Sequence, residues 1–291
     1  MIPIDGPRGA KIYIAPDHAL PLLWTTVAIR GGAAQDPTGQ EGLARHTVEL
    51  ARRGAGNMSR HDLDAALDDL GASFDPGVSR DSVSFSGLTL SRHIDRALPL
   101  WATILAEPSF SADEHGRLIR ETVSSLDDLR DDDALVAQRA FDRAWAPGHA
   151  YARSARGTEA SLAALTVDAA RATHRRQVVP ANLVIGFAGD VDEARARELA
   201  TRLIAKLADG PAPQLPDVAA TPRVRGRRII LVDKPDRQKT QIYIGHPAPV
   251  YGTDDAAHLS VVETAFGGMF SSRLMQAIRV ERGWSSGASF R

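Results

Sequence analysis

Apolar and polar positions change their period repeatedly along this chain, and each change marks a boundary between strand and helix. Residues 11–15 and 22–30 alternate as strands do, the second closed by Gly31 and Gly32. A helical pattern runs from about Gln40 to Arg53. Ser59, with Asp62 three residues on, opens a second helix that carries Leu63, Ala66, Leu67 and Leu70 on one face and stops at Gly71. Val83, Phe85 and Leu88 restore a period of two. Ile94, Leu98, Trp101 and Leu105 then recur at helical spacing, and Ser111 with Glu114 starts a further helix that buries Leu118, Val123 and Leu126. A shorter helix over 134–145 ends at Pro147 and Gly148. Thr166 caps a helix reaching Val179, a strand follows over 182–191, and Asp192 begins a helix that ends near Leu207.

Between Asp209 and Pro222 the periodicity vanishes and Pro211, Pro213, Pro216 and Pro222 accumulate, which reads as an interdomain linker. Beyond it the pattern restarts, with strands expected at 228–233 and 240–246 and helices at 254–266 and 271–281. The organisation predicted is α+β: a first domain over 1–208, a linker over 209–222 and the start of a second, similar domain over 223–291. That second domain reaches only about half the length of the first, so the chain is expected to be part of a longer polypeptide or to be complemented by another.

Composition narrows the function classes. The 291 residues are 43% apolar and 24% charged, as in globular proteins, and the formal net charge of −1 gives no reason to expect nucleic acid or an acidic membrane surface as partner. No run approaches the roughly twenty apolar residues that cross a bilayer. The count of 0 cysteines excludes disulfides, thiolate metal sites and cysteine nucleophiles. Residues 1–11 lack the apolar core of a secretion signal, and the compartment stays open, since a trimmed chain reads the same. Asp127, Asp128, Asp131, Asp132 and Asp133 read as a solvated face.

The segment Gly42-Leu43-Ala44-Arg45-His46-Thr47-Val48-Glu49-Leu50 carries the most chemistry. It resembles the motif helix of the M16 family of metallopeptidases, Gly-Leu-Ala-His-x-x-Glu-His. There, two histidines four residues apart bind zinc and the glutamate between them activates the metal-bound water. Aligned without gaps, this sequence has Arg45 at the first histidine, Val48 at the glutamate and Glu49 at the second histidine, and a guanidinium cannot ligate a metal. Shifted by one residue, His46 and Glu49 match the first histidine and the glutamate, and Leu50 then stands at the second histidine. His46 and Glu49 lie at i and i+3, which suits a charge pair on a solvated face or an atypical metal site.

Other segments carry the same resemblance in the same order. Arg30 to Pro37 is similar to the family's glycine-rich entry to the motif helix, Gly148-His149 with Gly157-Thr158-Glu159 to a later loop, and Asn182 to Asp190 to the last central strand of its first domain. Phe266 to Gly283 resembles a second-domain segment in which an arginine, and a tyrosine seven residues on, reach the bound substrate and its oxyanion. Arg279 stands at the arginine and Ser286 at the tyrosine. Glu121 matches a functional glutamate that precedes the third zinc ligand by seven residues, which puts Asp128 at that ligand. The edge strand on which the family adds peptide corresponds to Phe74–Ser79, where Pro76 and Gly77 make a poor template.

The resemblance implies an M16-like fold, a mixed sheet with helices packed on one face, and a catalytically inactive subunit. Such a chain would pair with a homologous subunit carrying an intact His-x-x-Glu-His, forming a heterodimeric chamber for peptides. Zinc would reside in the partner and no cofactor in this chain, which would lend Arg279 to the shared site. Two alternatives stay open: a non-enzymatic scaffold of M16 fold, as among the core subunits of the respiratory bc1 complex, and a self-sufficient zinc peptidase using His46, Glu49 and Asp128.

Overall fold

The computed structural model describes residues 1–218, 226–249 and 252–290. They form two compact units, one of residues 1–222 with 229–243 and one of 223–228 with 244–291. The predicted boundary at residue 223 lies outside the described residues.

The first unit is built on a six-stranded mixed sheet. Its strands are β1 (Ile2–Asp5), β2 (Lys11–Pro16), β3 (Leu22–Arg30), β6 (Ser73–Val78), β7 (Ser82–Leu90) and β8 (Leu183–Gly189), in the order β1-β2-β8-β3-β7-β6. Only the β2–β8 pair is parallel. A two-stranded ribbon, β4 (Gly54–Ala55) and β5 (Met58–Ser59), lies apart from it. Along β3 the odd positions Leu23, Thr25, Val27 and Ile29 are buried, whereas Trp24 and Thr26 are exposed. One face therefore meets the helices and the other does not, the arrangement that strict alternation dictates.

The helices are α1 (Leu43–Ala51), α2 (Arg60–Asp68), α3 (Ile94–Ala106), α4 (Ala112–Asp131), α5 (Asp133–Trp145), α6 (Glu159–Ala163), α7 (Val167–Gln177) and α8 (Glu193–Leu203). Their starts follow the expected chemistry: the side chains of Ser59, Ser111, Thr166 and Asp192 each accept a backbone N–H of the first turn. The core centres on Trp101 of α3, whose ring stacks 5.2 Å from Phe74, which stacks in turn 5.1 Å from Phe85. Gly87 of β7 is the floor of that stack, since a Cβ there would sit 2.9 Å from the Trp101 ring and 3.0 Å from Phe74.

Downstream of the linker the sequence reading needs correction. Residues 228–233 and 240–246 form no strand. Ile229, Leu231, Ile242 and Ile244 are 83%, 88%, 74% and 90% exposed. Alternation alone does not make a strand, because the amides need a ladder partner, and none of the described strands pairs with either segment. Nor is the acidic run simply solvated. Lys234 binds Asp133 at 2.6 Å and Arg237 reaches Asp131 at 3.2 Å, so that residues 229–243 are tied to the ends of α4 and α5. The second unit contains α9 (Asp254–Glu263), a π-turn over Thr264–Gly268, the single turn α10 (Arg273–Met275) and another π-turn over Gln276–Val280.

Candidate functional site

Helix α1 is placed by an aspartate that sequence inspection does not single out. The Asp36 carboxylate accepts the N–H of Gly42 and of Ala44, each at 2.8 Å, and thereby caps the helix. Gly42 adopts φ 99°, a left-handed conformation that favours glycine, and the Arg156 carbonyl oxygen would lie only 3.2 Å from a Cβ there. Burial pushes the Asp36 carboxyl up to about 6, against the pull of its two amide partners and of Arg153.

From this fixed start α1 turns four residues in different directions. Val48 is 3% exposed and packs into the core. Arg45 and Glu49 lie on the outer face, with Arg45 Nε 2.7 Å from Glu49 Oε1. The gapless alignment puts these two at the histidine positions, so an internal ion pair stands where a metal would be held. His46 points elsewhere. It is 2% exposed, and its Nε2 meets His115 Nδ1 of α4 at 2.8 Å, edge on. Burial, followed by the nearby His115 and Arg53, drops the His46 pKa to about 4, and burial lowers that of His115 as well. The pairing expected between His46 and Glu49 is thus replaced by two separate pairs. At i+3 both residues stay within reach of one another, but Arg45 at i−4 offers Glu49 a full charge, and His46 faces the core.

The outer face of α1 opens on a cavity of about 410 Å³ lined among others by Arg45, Glu49, Arg52, Arg53, Asp75 and Glu121. Glu121 pairs with Arg53, which also reaches Glu114 at 3.3 Å, and that contact holds the Glu121 carboxyl below the usual range. Asp64 is engaged by Arg52 at 2.8 Å. Asp128 is exposed on α4 and does not line the cavity. Among the described residues no three histidine, aspartate or glutamate side chains converge as a metal set would. The zinc site imagined from His46, Glu49 and Asp128 is therefore not assembled, because the three face core, cavity and solvent in turn. The residues present do not fit zinc. The cavity's cations are guanidinium groups, and several of its carboxylates are already neutralised by them.

The strand that the resemblance aligns with the family's peptide-binding edge departs in a matching way. Strand β6 is an edge of the sheet, paired only with β7. Ser79 N–H donates to Ser82 O at 2.8 Å, so Gly77 and Asp75 point their amide groups at β7 in this register, while Phe74, Pro76 and Val78 point theirs outward. Pro76 has no N–H to offer, and the Phe74 carbonyl already accepts Arg52 Nε at 3.0 Å. Of the three outward residues, Val78 alone keeps both groups unengaged among the described contacts.

In the second unit Arg279 is exposed and its guanidinium lies 4.9 Å over the Phe270 ring. Ser286 is an exposed coil residue. The contribution of Asp36 and the His46–His115 pair were missed by sequence reasoning. Asp36 lies six residues before the N-cap Gly42, so the local capping preference does not reveal it, and nothing local joins His46 to a residue on another helix.

Comparison with known proteins fits this geometry. The family profile described as insulinase (peptidase family M16) matches residues 24–159, and that of the peptidase M16 inactive domain matches residues 164–291. A protein of Mycobacterium leprae named as an uncharacterized zinc protease is 27% identical over 283 residues, which are 95% of this chain and 62% of the relative. A Helicobacter pylori protein named as a non-peptidase homolog is 21% identical over 268 residues, covering 92% of this chain and 61% of its own. This chain thus spans less than two thirds of the length of these relatives. The crystal structure of a peptidase M16 inactive domain from Pseudomonas fluorescens superposes with a TM-score of 0.84 at 22% identity, over 98% of this chain and 69% of that one. A protease from Helicobacter pylori gives 0.84 at 16% identity, over 99% and 70%. Two consecutive M16 profiles and the α+β sheet shared with M16 structures lead to one conclusion: the chain belongs to the M16 peptidase family, with residues 164–291 homologous to the family's inactive domain.

Proposed function

We propose that this chain is the non-catalytic member of an M16 peptidase pair. Its partner is a homologous subunit with an intact His-x-x-Glu-His, which carries zinc and the general base. The two enclose a chamber in which peptides are cut, and this chain supplies the facing wall together with Arg279. The carrying observation is the Arg45–Glu49 ion pair at 2.7 Å, which fills the two histidine positions with groups that neutralise each other. The impaired β6 edge supports the same reading, since a subunit relieved of catalysis has no need to align a peptide beside its own α1. Arg279 suits a role across the chamber because a guanidinium offers charged, directional donors where negative charge develops.

Co-expression with a neighbouring M16 chain that carries His-x-x-Glu-His tests the proposal. The expected result is a stable one-to-one complex whose peptide hydrolysis exceeds that of the partner alone and falls with Arg279→Ala. Failure to associate, or unchanged hydrolysis on mixing, would favour the scaffold alternative.

A further inference from the structure

A second cavity, of about 280 Å³, lies between the end of β6, α5 and the loop that follows α5, wholly within the first unit. Its wall carries Arg80, Arg139, Arg143, Arg153 and Arg156 against the single carboxylate of Asp142. Two of the five are already engaged. Arg80 takes Asp142 at 3.3 Å, and Arg153 donates to the carbonyls of Asp36 and Ala34 at 2.8 and 2.9 Å. The side chains of Arg139, Arg143 and Arg156 have no ion-pair or hydrogen-bond partner among the described residues.

Positive charge is crowded along this wall. Burial lowers the Arg139 pKa first, and the nearby charges of Arg143 and Arg130 lower it further. Arg156 is lowered by burial and by Arg45, with Glu49 opposing and Arg139 adding. A guanidinium does not shed its proton in proteins, so the crowding persists as repulsion that an anion would relieve. The cavity is smaller than the roughly 300–1,000 Å³ typical of sites for drug-sized ligands, which suits one side chain or chain end better than a whole cofactor. Val78, the outward residue of β6 with both backbone groups unengaged, lines the same cavity beyond the blocked Phe74 and Pro76, so a single peptide unit seated there has one backbone pair beside the arginines.

We infer that this cavity binds a carboxylate of an acidic peptide, a glutamate or aspartate side chain or a C-terminus, through Arg139, Arg143 and Arg156. The inference deepens the peptide-chamber reading by naming the substrate's charge, and it rests on that reading only for the ligand being a peptide.

The test is direct binding to the chain alone by fluorescence anisotropy at low salt. Three labelled peptides of equal length serve as probes: one rich in glutamate with an amidated C-terminus, its all-glutamine counterpart, and that counterpart with a free C-terminus. The amidated glutamate peptide, the free-terminus peptide or both should bind at least about tenfold more tightly than the amidated glutamine peptide, and whichever does identifies the carboxylate's source. Arg139→Gln and the exposed Arg156→Gln should each remove about tenfold of that preference, and Arg139→Lys should recover part of it. Arg171→Gln, an equal change of net charge on α7 away from the cavity, should leave it within about twofold. Equal affinity for all three peptides overturns the inference, as does a preference that folded Arg139→Gln and Arg156→Gln variants retain in full. Because neither partner nor hydrolysis enters the measurement, a failed pairing experiment and a failed binding experiment are separate results.

Discussion

If the Arg45–Glu49 pair has taken over the metal's place on α1, breaking it should cost more than an ordinary surface pair and part of that cost should disappear when both charges go. Their side chains are 28% and 24% exposed and meet at 2.7 Å, so the pair is only partly solvated. Two unit charges about 4 Å apart attract by about 4 kcal/mol at an effective dielectric constant near 20, before desolvation and side-chain ordering take most of it back. A net coupling of about 1 kcal/mol remains, above the roughly 0.3–0.5 kcal/mol of an exposed helical pair. Glu49→Gln alone leaves Arg45 facing Arg156 without a counter-charge and should destabilise by about 2 kcal/mol, whereas in an Arg45→Gln background the same change should cost about 1 kcal/mol less. Urea unfolding of the four proteins in this double-mutant cycle measures the difference. A coupling below about 0.3 kcal/mol would refute the idea that the pair substitutes for a structural bond at this position.

Three further outcomes follow from the packing. Gly87→Ala drives a methyl into Trp101 and Phe74 and should cost about 1–3 kcal/mol in the same unfolding assay. His46, whose folded pKa of about 4 lies below the ordinary histidine value of 6.5, favours the folded state above pH 6.5 and loses that contribution as pH falls toward 4; over this window His46→Gln should flatten the decline in stability by about 3 kcal/mol. Asp36 acts in the opposite sense, since its raised pKa near 6 adds stability as pH falls through that value, so the variant rather than the parent isolates His46. Asp133→Ala removes the anchor of Lys234 and should speed proteolytic cleavage within residues 229–243 while leaving cleavage of the first 208 residues unchanged.

The first unit was largely legible because its elements satisfy themselves locally: Ser59 with Asp62, Ser111, Thr166 and Asp192 each cap a helix start, and β3 and β7 alternate cleanly. β1 and the β4–β5 ribbon went unseen, being too short for a period to register. Residues 228–233 and 240–246 show the opposite failure, a strand pattern without a strand, because pairing depends on what lies alongside. At the site, the identities of Arg45 and Val48 already take one ligand and the base out of the gapless frame. Which neighbour each residue chose did not follow from spacing: Glu49 took Arg45, and His46 took His115, 69 positions away.

The central claim is that the motif helix of this chain no longer holds catalytic zinc and that catalysis belongs to a partner. Zinc analysis of the purified chain, with and without an M16 partner bearing His-x-x-Glu-His, tests it most directly. The account predicts substoichiometric zinc in the chain alone, unaffected by His46→Ala or Glu49→Ala, and one zinc per complex that is lost when the partner's motif is mutated. One zinc per isolated chain, abolished by either substitution and accompanied by peptide hydrolysis, would contradict it.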